Sequence, residues 1–222
     1  MKVELFFVLF LLCVCTKSDP CGNTAKYFEE LSRRDLSTSR DTLANAEDAK
    51  YPVWPLQFNC TLQKIWPDDH EVQWTKLYYD WKILGMKFSF FEWYQDVKGV
   101  WGKEYCIILF KNTTIYVIRE GKQSCAIRAR EIPPVSPYWL RTTEFKGNVM
   151  FREMYSELWE FPKEGTPLDG IQYYMRAGNS PAERAPLRST NQQGDPGVTD
   201  YTDFVVGPQN PNTFAVPSYC PK

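Results

Sequence analysis

Tyr105–Cys125 reads YCIILFKNTTIYVIREGKQSC, and the reading of this stretch decides the fold. Two runs within it, Tyr105–Phe110 and Thr113–Arg119, are dense in Ile, Val, Thr, Tyr and Phe, side chains that suit a pleated, half-buried surface. Neither run contains Gly or Pro, and Lys111-Asn112 lies between them. The pattern predicts a β-hairpin, with Cys106 and Cys125 near its two ends. The sequon Asn112-Thr113-Thr114 falls at the turn, so an N-linked glycan is expected on a tip that faces solvent.

The 222 residues are 43% hydrophobic and 16% aromatic, enough to build a core and too apolar for intrinsic disorder. Twenty-six basic residues face 27 acidic ones, a net charge of -1, so there is no basic field to hold a nucleic-acid backbone. No nucleic-acid partner is expected.

Met1–Cys15 reads MKVELFFVLFLLCVC: a lysine, an apolar core from Leu5 to Val14, then small residues at Cys13, Cys15 and Ser18. This pattern predicts a secretory signal peptide over residues 1–18, too short to span a bilayer. No later stretch approaches ~20 uninterrupted apolar residues, so no transmembrane segment is expected and the protein reads as secreted and extracellular. Of seven cysteines, removing Cys13 and Cys15 leaves five: Cys21, Cys60, Cys106, Cys125 and Cys220. None are spaced as CxxC and His70 is the single histidine, so a zinc site is poorly supported. In an oxidising compartment the five predict two disulfides and one odd thiol, which either joins a second chain in a homodimer or lies buried and inert.

Residues 19–51 are polar, with a helical pattern at Thr24–Arg34 and Arg40–Lys50, and read as a helical or flexible N-terminal arm. From Pro52 the period switches to two. Leu56, Phe58, Cys60 and Leu62 alternate with Gln57, Asn59, Thr61 and Gln63. A second strand follows Pro67-Asp68-Asp69-His70, a third carries Met86, Phe88 and Phe90, and Gln95–Lys103 reads as a loop. Three prolines in Ile132–Pro137 close the block, and Pro137 can start a short helix over Tyr138–Phe145. Asn148–Phe161 reads as two strands around Ser156-Glu157, and Ile171–Met175 as another strand. Ala177–Val198 reads as a long exposed loop, Thr199–Val206 as a last strand, and Pro208–Lys222 as an extended tail. The architecture expected is one antiparallel, mainly β domain with few helices.

Several landmarks resemble the ependymin-related secreted glycoproteins. They are Tyr79-Asp80, the alternating Met86-Lys87-Phe88, the hairpin ending at Cys125, Ile132–Leu140, Leu158-Trp159-Glu160, and the closing Asn210-Pro211…Phe214…Pro217…Cys220. The resemblance covers Pro52 to Cys220, within a β domain expected over 52–222, and departs from the family in lacking a double-cysteine opening, in its polar arm and in the stretch 177–198. It implies a single curved antiparallel sheet or half-barrel, similar to bacterial lipoprotein carriers of the LolA type, folded around a hydrophobic pocket. It also implies an extracellular, N-glycosylated, often dimeric protein, with calcium in some members. The family pattern implies a Cys125–Cys220 disulfide, which leaves Cys60 with Cys106 as the second expected pair and Cys21 odd.

The second strand carries Trp74 and Tyr78 on one face and Leu77, Tyr79 and Trp81 on the other. A sheet apolar on both faces must bury both, either against protein (a helix, the arm, a second subunit) or against a ligand. Candidate lining residues for a lipid or other hydrophobic small molecule are Phe58, Trp74, Tyr78, Phe88, Phe90, Leu109 and Tyr116. Asn59-Cys60-Thr61 is a second sequon. Asp68, Asp69, Asp195, Asp200 and Asp203 are acids of the kind calcium takes, but no EF-hand pattern is present and a solvated loop is the simpler account of them. With His70 in a turn among acids and no nucleophile elbow, HExxH helix or phosphate loop, no catalytic residue is assigned. The function expected is a secreted, non-enzymatic glycoprotein that holds a hydrophobic ligand. The alternative is an adhesive extracellular-matrix glycoprotein, calcium-dependent and without a small ligand.

Overall fold

The computed structural model describes residues 51–65, 72–95, 101–163, 169–178, 184–191 and 197–222. The expected signal peptide and nearly all of the N-terminal arm, with Cys21, lie outside them. Among the described residues the chain forms β1 Gln57–Ile65, β2 Val72–Asp80, β3 Gly85–Gln95, β4 Trp101–Lys111, β5 Thr114–Arg119, β6 Ser124–Ala129, β7 Glu144–Phe151, β8 Met154–Glu160, β9 Gln172–Arg176, β10 Pro186–Asn191 and β11 Gly197–Val206. Short 3-10 turns at Trp81–Ile83, Glu120–Lys122 and Pro211–Phe214 make up the helical content described. The protein is mainly β, as its alternating sequence predicts. All eleven strands belong to one antiparallel sheet, ordered β6-β5-β4-β3-β2-β1-β11-β10-β9-β8-β7. The sheet is not closed: β6 and β7 are its edges.

The hairpin that organises the sequence is β4–β5. Lys111 pairs with Thr114, which leaves Asn112-Thr113 as a two-residue turn. Asn112 adopts φ 56, the left-handed region that an asparagine tolerates better than most residues, and its side chain is exposed. At the β2–β3 connection, Asp80 accepts from the Lys82 backbone N–H at 3.1 Å and from Gln57 Nε2 at 2.8 Å. That capped turn carries the chain straight into β3.

Four expectations need correction. The loop placed at Gln95–Lys103 is shorter, because β3 and β4 stay paired out to Gln95 and Trp101. Tyr138–Phe145 is not a helix but successive tight turns, closed by Trp139 N to Ser136 O (3.2 Å), Arg141 N to Tyr138 O (3.0 Å) and Thr143 N to Leu140 O (3.0 Å), before β7 begins at Glu144. The strand reversal placed at Ser156-Glu157 occurs at Arg152-Glu153, with φ 48 and 63. Neither residue signals a left-handed turn, so the sequence conceals it. Finally, part of the stretch read as an exposed loop is β10, with Leu187 and Ser189 buried. Pro186 stands at its first position, where a missing N–H is tolerated, and pairing on both sides overrides a composition that favours loops.

The chain gathers into two compact units. One comprises Leu56–Lys64, Val72–Pro134 and Thr202–Lys222; the other holds Val135–Tyr201 together with the chain up to Pro55 and Ile65–Glu71. The second unit packs around aromatic rings. Trp139 meets Trp54 and Tyr173 edge-on, each at 5.5 Å between ring centres, and stacks on Phe161 at 5.7 Å. Trp54 Nε1 donates to Tyr173 Oη at 2.7 Å, which satisfies the polar atom that burial of an indole would otherwise strand.

Candidate functional site

The first unit presents two sheet faces of different kinds, and strand register assigns each side chain to one of them. Directly opposed residues share a face, so Leu77, Phe88, Ile108 and Val117 form one row across β2–β5. Tyr79, Met86, Phe110 and Ile115 form the next row, and Phe58 of β1 joins it through its ring contact with Tyr79 at 5.0 Å. We call this the core face. Phe58, Tyr79, Phe110 and Ile115 are fully buried, and Leu77, Met86, Phe88, Phe90, Cys106 and Ile108 nearly so. Each large side chain removed from water here contributes about 1.5–3 kcal/mol, which makes this face the main source of the unit's stability.

The core face changes character at one end. Beyond Phe90 and Cys106 the buried residues become polar: Lys64 on β1, Thr75 on β2 and Glu104 on β4, at 6%, 6% and 7% exposure. Glu104 Oε2 lies 3.2 Å from Arg119 Nε and 3.1 Å from Lys122 Nζ. Its other oxygen, Oε1, is enclosed and finds no donor among the described residues. This polar end is buried like the apolar rows beside it.

The opposite, or tail, face is covered by the chain's own end. Ile107, Leu109, Ile118, Phe214 and Cys220 form a buried cluster, with Tyr78, Tyr105, Tyr116, Cys125 and Val216 packed around it. The Cys125–Cys220 disulfide ties the tail to β6, with Cα atoms 5.0 Å apart. Gly85 is required beneath it: a Cβ there would approach Phe214 Cδ1 to 2.9 Å. Past the tail, Trp74 and Phe91 stand 55% and 59% exposed, and Phe91 meets the Tyr105 ring at 5.3 Å.

The seven lining candidates therefore do not converge. Phe58, Phe88 and Phe90 lie on the core face; Tyr78, Leu109 and Tyr116 lie under the tail; Trp74 points to solvent on that same side. Period-two alternation separates faces within a strand, but only register relates one strand's faces to another's. Ile108, Phe110, Ile115 and Met86, which the sequence reading left out, complete the core face. The expected Cys60–Cys106 disulfide does not form, and both thiols are buried. They share a face but sit on β1 and β4, three strand spacings apart. At about 4.8 Å per spacing that is roughly 14 Å, far beyond the reach of an S–S bridge.

Of the sequons, Asn112 is exposed at the hairpin turn, whereas Asn59 is half-buried and donates from Nδ2 to Gln209 Oε1 at 3.5 Å. The acidic candidates are differently employed. Asp68, Asp69, Asp195 and His70 lie outside the described residues. Thr61 Oγ1 donates to Asp203 Oδ2 at 2.9 Å. Asp200 is fully buried and holds two arginines, Arg152 Nη2 at 2.6 Å and Arg188 Nε and Nη2 at 2.6 and 2.8 Å. Those hydrogen bonds raise the Arg188 pKa, burial acting in the opposite direction. The Arg188 and Arg152 Cζ atoms lie 4.8 and 5.3 Å from the centre of the Phe151 ring. Asp200 is therefore an ion-pair anchor for the β7–β8 turn. No group of three or more His, Cys, Asp and Glu suited to a metal ion occurs among the described residues.

A family model described as Domain of unknown function (DUF8395) matches residues 53–220. No curated protein sequence matches the chain. Among solved structures it is similar to an uncharacterized conserved protein from Thermus thermophilus, at 12% identity and TM-score 0.50, over 82% of this chain and 95% of that one. It is also similar to a putative outer membrane lipoprotein-sorting protein domain from Vibrio parahaemolyticus, at 10% identity and TM-score 0.35, over 77% of this chain and 94% of that one. The likeness to the Thermus protein is one of fold alone.

Proposed function

The chain belongs to this family of domains of unknown function (DUF8395), and since membership brings no activity with it, we propose from the geometry that the protein is a carrier that holds an apolar, chain-bearing ligand against the core face of β1–β5. One observation carries the reading. The core face is continuously apolar from the Tyr79–Met86–Phe110–Ile115 row to Phe90 and Cys106, then ends in the buried polar residues Lys64, Thr75 and Glu104. These residues are only 0–7% exposed, so in this reading a ligand reaches them when what covers the face moves aside, its chain meeting the aromatic rows and its head the polar end. In this reading the protein binds and does not catalyse. It is secreted and carries a glycan at Asn112, consistent with the ependymin-related landmarks in its sequence.

Native mass spectrometry and solvent extraction of the full-length protein purified from a secreting host test the reading. A lipid bound at one per chain, and uptake of a fluorescent apolar probe after delipidation, are expected. A protein that carries no lipid and takes up no probe sinks it. The glycan is tested in the same preparation: Asn112→Gln should remove one glycan's mass and leave the melting temperature nearly unchanged, because the side chain is exposed at the hairpin turn. An unchanged mass would refute it.

A second reading, association of two copies, is favoured by β7. It is an edge strand, and Met150 faces Tyr155 across the hairpin with 64% and 68% of their surfaces exposed. Sedimentation of the purified protein with and without a calcium chelator would decide it, a strict monomer in both counting against it.

A further inference from the structure

Arg152, Arg176 and Arg188 gather on the sheet face of the second unit that lies away from its buried Tyr173 and Met175. Register places Arg188 of β10 between Asp200 of β11 and Tyr174 of β9, and Arg176 follows two residues after Tyr174 on the same face. Phe151 of β7 belongs to this face too. Its ring meets Tyr174 at 5.3 Å, and it pairs with Met154, whose Sδ lies 3.9 Å from Arg176 Nη2. Asp200 fixes two of the arginines. Arg188 Nε and Nη2 donate to its two oxygens at 2.6 and 2.8 Å, and Arg152 Nη2 donates to Oδ2 at 2.6 Å. Arg152 reaches it from a backbone held at φ 48, a strained conformation of the kind that clusters at binding sites.

The carboxylate orders these groups without using them up. The Arg152 side chain stays 51% exposed and that of Arg188 24%. Beyond Asp200 and the Phe151 ring, neither side chain has a further hydrogen bond or ion pair among the described residues, although each guanidinium carries five N–H donors. Arg176 is exposed and forms no ion pair among the described residues. Of the acids nearby, Glu153 is exposed in the turn, Glu160 accepts from Gln172 Nε2 at 3.1 Å, and Glu157 pairs with Arg184 on the opposite face. The exposed Phe145, Met150 and Tyr155 also lie on that opposite face.

This combination selects a class of partner. Guanidinium forks held in place match the oxygens of a sulfate or phosphate group. A lipid surface offers such groups, but the arginine face shows it no exposed large apolar side chain to insert. A nucleic acid calls for a broad basic field, which a chain of net charge -1 lacks. A hydrophilic polyanion lies across a sheet and needs no concavity. We propose that this face binds a sulfated polysaccharide, with Arg152 and Arg176 donating to sulfate oxygens and Asp200 positioning Arg152 and Arg188. The inference stands apart from the carrier reading, which concerns the first unit.

The test is binding of the full-length protein to heparin, compared with hyaluronan (carboxylates only), a DNA duplex, and phosphatidylcholine vesicles carrying phosphatidylserine. Heparin should bind most tightly and be released between about 0.1 and about 1 M salt, where the screening length falls from about 10 to about 3 Å. Arg152→Gln and Arg176→Gln should each weaken heparin binding by about tenfold, the scale of one charge-assisted hydrogen bond. Arg176→Gln breaks no ion pair among the described residues and should leave the melting temperature unchanged, so it decides the matter alone if Arg152→Gln fails to fold. No binding to heparin, binding to hyaluronan, DNA or vesicles at least as tight, or an affinity that either folded variant leaves unchanged would overturn the inference. None of these outcomes touches the carrier reading.

Discussion

At the scale of single residues, the least expected positions are those where burial changes the chemistry of a polar group. Cys60 is the clearest. Burial pushes its thiol pKa above the ordinary 9.0, partly opposed by the charge of Lys76 and slightly reinforced by Asp203. The folded thiol therefore keeps its proton where the unfolded one loses it. Stability from this group is complete below about pH 9 and declines as pH rises past that value, because the unfolded chain then binds fewer protons. Urea unfolding of wild type and Cys60→Ala at about pH 8 and about pH 10 should show the wild type losing more over the interval; parallel losses would refute it. The same protonated state should keep Cys60 unreactive towards iodoacetamide until the chain unfolds. Asp200 is the opposite case, a buried carboxylate held between two arginines. Asp200→Asn leaves Arg152 and Arg188 without their anionic partner and should cost about 3 kcal/mol, the low end for a broken buried pair because both arginines reach solvent. Asn replaces an acceptor with a near-isostere, so a loss under about 0.5 kcal/mol would show that the pair is worth little. The signal for Asp200 was present in the sequence as an acid near other acids, but its two arginine partners lie 12 and 48 positions away and nothing local marks them.

At the scale of elements, alternation made the strands legible and composition misled the turns. β1 reads as strict alternation and is observed as such. The β4–β5 hairpin announces its turn with an asparagine; the β7–β8 hairpin hides its turn in Arg152-Glu153. Holding two consecutive side-chain-bearing residues at positive φ costs roughly 1–2 kcal/mol each, and Arg152 recovers part of that through Asp200. Glu153 is exposed and has no such compensation among the described residues, so Glu153→Gly should raise stability by about 1 kcal/mol, read as an upward shift of the denaturant midpoint at unchanged m value. A lower midpoint would mean that the turn is not strained at that residue. β10 was invisible for a related reason: a strand of Pro, Leu, Arg, Ser, Thr and Asn is held by neighbours on both sides and not by its own preference.

For the molecule as a whole, the tail is the closing feature. Cys125–Cys220 spans 95 positions, and a loop of that length should contribute about 4–5 kcal/mol on the loop-entropy account, with about 2–5 typical of measured removals. The double substitution Cys125→Ala, Cys220→Ala should lower stability by about that much and increase binding of a hydrophobic dye, as Phe214 lifts from Gly85 and the Ile107–Leu109–Ile118 cluster opens. Loss of stability without new dye binding would show that the bridge acts only by constraining the unfolded chain, with the tail docking unaided. The two faces of the first unit thus differ in kind: one is closed by a covalent strap from the same chain, and the other, equally buried, is the apolar face on which the carrier reading rests.

The sequence by itself determined the mainly β character, the principal hairpin and its exposed asparagine. These follow from backbone preference and from period-two patterning, which act over a few neighbouring residues. Tertiary structure alone decided which faces align across the sheet, and so it set Phe58, Phe88 and Phe90 apart from Tyr78, Leu109 and Tyr116. It also kept Cys60 from Cys106, and it left one oxygen of Glu104 without a donor among the described residues. Alternation in one strand is unchanged when its neighbour slips by a residue, yet such a slip exchanges every partner across the ladder. Cross-strand register is a long-range property, and the chemistry of the candidate site depends on it.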